Sequence, residues 1–138
     1  MKTTIEQFIR TTSNISETLI RDTITALGGW DRFHAAAHDL VFDSRFRGFG
    51  SDFTITPADF ARKHLTEIRG QVHEGAECCG ESPASVVRQC LYLAGYHVSD
   101  AVIYRALYRG EDDSDLVMNA LAWIAIENVA YGYADWLA

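Results

Sequence analysis

Residues 120–126 read ALAWIAI, seven apolar side chains in succession, inside the longer run Leu116-Val-Met-Asn-Ala-Leu-Ala-Trp123-Ile-Ala-Ile-Glu127-Asn-Val-Ala-Tyr-Gly-Tyr133. A helix that is apolar on every side belongs in the middle of a fold, covered by other elements. The spacing therefore predicts a central buried helix from Leu116 to about Tyr133. The acidic run before it, Glu111-Asp112-Asp113-Ser114-Asp115, places carboxylates at its positive end.

The covering elements are punctuated as helices too. Thr3 or Thr4 caps a short helix with Ile5, Phe8 and Ile9 on its apolar side. Ser16 opens a second with Leu19, Ile20, Ile24 and Leu27, stopped by Gly28-Gly29. A third spans Trp30 to Phe42, with Trp30, Phe33, Ala37, Leu40 and Val41 inward. Residues 43–56, DSRFRGFGSDFTIT, break the pattern as a Gly/Phe-rich loop. Thr56-Pro57 then opens a helix reaching about Cys79, with Phe60, Ala61, Leu65, Ile68, Val72 and Ala76 inside and Gly70 as its weak point. Ser82-Pro83 opens the next, with Val86, Val87, Cys90 and Leu91. Ser99 or Asp100 opens another, with Val102, Ile103, Ala106 and Leu107, closed by Gly110. The prediction is an all-α fold: a compact, single-domain bundle of six to seven helices over residues 1–138, with one Gly/Phe-rich loop.

The chain has 138 residues, 48% of them hydrophobic, which suits one globular domain. No apolar stretch has the roughly 18 to 20 uncharged residues of a membrane span. The start, Met1-Lys2-Thr3-Thr4-Ile5-Glu6, lacks a secretion-signal layout. Cys78, Cys79 and Cys90 make a poor disulfide framework, with Cys90 read as a small buried apolar residue. These readings place the protein in a reducing cytoplasm. The net charge is −7, and its acidity belongs to the C-terminal end: after Arg109 come Glu111, Asp112, Asp113, Asp115, Glu127 and Asp135, with no base. Without a basic stripe to displace counterions, direct nucleic-acid binding is not expected.

Candidate chemistry is sparse. His34 and His38, four apart on one helix face, can share a metal ion, but Ala35 stands where a zinc protease carries its glutamate. His73 with the cysteines lacks zinc-module spacing, and nothing marks an activated thiol. Gly48-Phe49-Gly50 follows no strand and lacks the third glycine of a dinucleotide site. Neither catalytic residues nor a resident metal or cofactor are expected. Two places read first as structural, the Gly/Phe-rich loop with its phenylalanines plugging the core and the acidic run as a solvated helix start, and otherwise as partner contacts. As a contact, the loop offers Arg45, Arg47 and Phe49, because arginine and aromatics dominate binding hot spots. The carboxylate run offers Glu111, Asp112, Asp113 and Asp115, suited to a basic surface.

The stretch Val117 to Ala130, with Asn119, Trp123 and Glu127, resembles the C-terminal signature of small uncharacterised helical proteins from tailed phages and prophages. The Gly48-Phe49-Gly50 loop running on to Phe60, and the turn from Glu77 to Glu81, resemble that family as well, so the likeness covers residues 30–134. The middle around Cys78-Cys79 departs most from it. The resemblance implies context rather than chemistry, since no catalytic residue transfers. Small acidic phage proteins of this kind block host machinery, including CRISPR and restriction systems, by occupying protein surfaces. The expectation is a non-catalytic inhibitor of a nucleic-acid-handling host complex, free of membrane, with a homodimer as a further option. The alternatives are a small metal-dependent hydrolase using His34 and His38, and an oligomeric assembly factor.

Overall fold

A computed structural model describes residues 5–12, 14–35 and 55–137. Among these residues every regular element is an α-helix. In chain order they are α1 (Ile5–Thr11), α2 (Glu17–Ala26), α3 (residues 30–35 as described), α4 (Pro57–Lys63), α5 (Leu65–Cys79), α6 (Pro83–Leu93), α7 (Asp100–Arg109) and α8 (Leu116–Leu137). The second half of the expected third helix, and the Gly/Phe-rich loop through residue 54, lie outside the described residues. None of the described helices is long and apolar enough to cross a membrane.

The caps follow the sequence. The side-chain oxygens of Ser16, Thr56, Ser82 and Ser99 accept the backbone N–H groups of Leu19, Asp59, Ser85 and Val102, each three residues on. Gly80 ends α5 at φ 67°, a left-handed conformation that side chains resist. There the N–H of Glu81 donates to the carbonyl of Ala76 at 2.8 Å, closing the last turn.

One helix divides where the sequence predicts continuity. His64 sits at φ −108°, ψ 18°, separating α4 from α5. Phe60 and His64 are both buried, with their rings 5.1 Å apart. Apolar spacing continues across this point, so periodicity does not register the turn. Gly70, the expected weak point, lies within intact α5.

The chain groups into two compact units. Among the described residues, the first comprises 5–12, 14–35, 55 and 126–137. Its described core joins aromatic Phe8, Phe33 and Tyr133 to aliphatic Leu19, Ile20 and Val129, all fully buried. Tyr133 meets Phe8 edge-on at 5.0 Å and Trp30 edge-on at 5.3 Å, and stacks with Trp136 at 5.8 Å.

Among the described residues, the second unit comprises residues 56–125. Here α5 packs on α6, and α7 packs on both. Phe60, Ile68, Val72, Val87, Leu91, Ile103, Ala106 and Leu107 are buried. Leu65, Val86 and Cys90, expected inside, are only half-buried, and Val102 is exposed. The inward stripe of α7 is Ile103, Ala106 and Leu107, and one residue back along the helix is a rotation of about 100° away from it.

Helix α8 supplies residues to both units. From Val117 to Ile126 every residue except Asn119 is buried, as an all-apolar helix requires. It continues to Leu137, four residues beyond the expected end.

Candidate protein-binding surface

Helix α7 carries the repeat Tyr104-Arg105-Ala106-Leu107-Tyr108-Arg109. With Ile103, Ala106 and Leu107 committed to the core, residues 101, 104, 105, 108 and 109 fall on the opposite face. They line a shallow cleft of about 400 Å³. Tyr104 and Tyr108 stack at 5.7 Å with an interplanar angle of 29°.

Tyr108 is held from the α5 side. Its hydroxyl hydrogen-bonds the Nε2 of His73 at 2.5 Å. The guanidinium of Arg69 lies 5.5 Å from the Tyr108 ring centre, a cation–π arrangement. Arg69 is itself fixed, donating from Nε to the Leu107 carbonyl at 2.8 Å. Tyr108 thus presents an exposed ring whose orientation is set before anything binds. Little side-chain entropy remains to be lost on docking.

A second cleft of about 530 Å³ adjoins the first along the chain. It is lined by Arg88, Gln89, Tyr92, Tyr96, His97 and neighbouring residues up to Ser99. Tyr92 is 59% exposed and meets the His97 ring edge-on at 5.6 Å. Arg88 is ion-paired with Asp100 across the α6–α7 connection, which braces the rim. Four of the six tyrosines in the chain fall between residues 92 and 108. Exposed Leu93 adds apolar area to the end of α6.

The chain matches no known protein family, curated protein or solved structure.

The carboxylate run singled out from sequence divides in the structure. Asp112 is buried, and its Oδ2 accepts the backbone N–H of Met118 at 2.9 Å. It therefore caps α8 from within. Asp115 adopts φ 58°, the only described non-glycine residue in that region, and pairs with Arg62 at 2.6 Å. That contact holds the Arg62 guanidinium above its ordinary pKa, chiefly through the hydrogen bond that Arg62 donates to Asp115. Glu111 and Asp113 are exposed. Of the four carboxylates, two serve the start of α8 and two face solvent.

Arg45, Arg47 and Phe49 lie outside the described residues, as does His38. His34 is described, and its Nδ1 shares a short hydrogen bond with the Tyr133 hydroxyl. Burial raises the pKa of that phenol. Among the described residues no group of three or more His, Cys, Asp or Glu side chains is placed to hold a metal ion. Cys78 and Cys79 are exposed free thiols, and His73 is engaged by Tyr108 rather than by a cysteine.

Sequence reasoning missed the α7 face. Its signal was present in the YRALYR repeat, where tyrosine and arginine each recur four residues apart and so line up on the helix surface.

Proposed function

We propose that this chain is a non-catalytic protein-binding protein whose contact surface is the tyrosine- and arginine-rich face of α6 and α7. The observation that carries this reading is the fixing of exposed Tyr108 by His73, Arg69 and Tyr104. Tyrosine and arginine are the residue types enriched at binding hot spots, and a pre-oriented tyrosine supplies contact area at low entropic cost. Both clefts are open rather than enclosed, which favours a protein partner over a small ligand.

The narrower form of the proposal is a phage-encoded inhibitor acting in the host cytoplasm, blocking a CRISPR or restriction complex by covering a protein or nucleic-acid-binding surface. It rests on the resemblance of residues 117–130 and on the acidity after Arg109.

The test is affinity capture from bacterial lysate by the immobilised chain, set beside Tyr92→Ser/Tyr96→Ser/Tyr108→Ser. All three side chains are exposed, so the variant should keep its helical circular dichroism. A partner retained by the wild type and lost by the folded variant supports the reading. A partner held equally by both overturns the assignment of this surface.

A further inference from the structure

We infer that the α7 stripe recognises a carboxylate-bearing segment of a partner protein, through Arg105 and Arg109 beside the Tyr104–Tyr108 pair. This deepens the protein-binding reading and rests on it.

Arg62 is paired with Asp115, Arg88 with Asp100, and Arg69 is tied to the Leu107 carbonyl and the Tyr108 ring. Arg105 and Arg109 are exposed, and neither has an ion-pair partner among the described residues. The chain has seven more acids than bases, so carboxylates are plentiful. Glu111 and Asp113 even follow Arg109 within four residues. Two guanidiniums on one helix face, beside a cleft, thus stay available in a protein that could neutralise them.

Their spacing suggests what they meet. Residues four apart on a helix have Cβ atoms about 5 to 6 Å apart. Carboxylates at alternate positions of an extended segment repeat at about 6.6 Å, and those four apart on a partner helix at a similar distance. Each guanidinium can then form a two-pronged hydrogen bond with one carboxylate. The ring of Tyr108, fixed beside them on α7, offers an apolar seat for a neighbouring side chain. A nucleic-acid backbone fits less well. Two free arginines replace few counterions, and a net charge of −7 repels a polyanion.

The test is selection of a random 12-residue displayed peptide library on the intact wild-type chain at low salt, repeated on Arg105→Glu/Arg109→Glu and on Tyr92→Ser/Tyr108→Ser. The expected result is enrichment of peptides with Asp or Glu spaced two or four apart. The charge-reversed chain should lose those peptides and gain basic ones. Fluorescence anisotropy of a selected peptide should show about a tenfold or greater loss of affinity for each arginine replaced by Gln.

Selected peptides without acidic enrichment overturn the inference, as does acidic enrichment that survives Arg105→Glu/Arg109→Glu. If those peptides still require Tyr92 and Tyr108, the protein-binding reading stands without the charge rule. Recovery of no peptide counts against both. Tighter binding of a 20-nucleotide single strand than of the best peptide overturns the choice of partner. So does self-association in sedimentation that Arg105→Glu/Arg109→Glu abolishes.

Discussion

The carboxylate of Asp112 accepts the backbone N–H of Met118 at 2.9 Å, in a site closed to solvent. Six residues of sequence separate the two, so the loop must fold back on the helix it precedes. A run that reads as a uniform acidic patch therefore contains one carboxylate whose task is to satisfy an otherwise orphaned donor of α8.

Asp112→Ala should then cost about 1 to 2 kcal/mol, the range of a lost helix cap. Glu111→Gln and Asp113→Asn, both exposed, should stay within about 0.5 kcal/mol of wild type. Urea unfolding of the three single variants checks this. Equal losses at all three positions would mean that Asp112 has no special role.

Leu121 is fully buried in α8. Leu121→Ala should destabilise by about 2 to 5 kcal/mol, through lost burial and the cavity left behind. A loss below about 1 kcal/mol in the same measurement would contradict the central position of the helix.

Gly70 lies inside α5, and a Cβ placed there would meet nothing within 4 Å. Gly70→Ala should therefore stabilise the chain by about 0.5 to 1 kcal/mol, by restricting the unfolded backbone and favouring helix. A lower thermal midpoint would show that the position is crowded or non-helical.

Burial pushes the Tyr133 phenol above its ordinary value of 10.0. Below that value the phenol is neutral whether the chain is folded or not, so its contribution to stability is fully present. As pH rises through the raised folded value, the unfolded chain ionises first and that contribution is lost. Tyr133→Phe should cost about 1 kcal/mol at neutral pH, through the missing bond to His34. The deficit should shrink or reverse above about pH 10, because phenylalanine cannot ionise. Thermal midpoints from about pH 7 to 11 test this, and a constant deficit would contradict it.

Helix identity was legible in the sequence because local rules and periodicity agree. Ser16, Thr56, Ser82 and Ser99 cap where their spacing places them, and ALAWIAI is buried as its composition requires. The turn at His64 was not legible, because no breaker residue marks it and the apolar spacing runs on through it. The proposed binding surface was hidden for a related reason. Charge runs are visible in one dimension, which draws attention to residues 111–115. Whether a charge is spent inside the fold is decided by contacts such as Asp112 to Met118 and Arg62 to Asp115. The repeat on α7 acquires meaning only once Ile103, Ala106 and Leu107 fix which face is left outward.

The central claim is that partners meet the α6–α7 face rather than the acidic turn. The most direct measurement is photo-crosslinking with benzoylphenylalanine placed at Tyr92 in one chain and at Asp113 in another, both exposed positions. Each is irradiated in the presence of the partner captured from lysate. The account predicts a covalent adduct from position 92 and none from position 113. An adduct from position 113 alone would contradict it and move the contact to the carboxylates before α8.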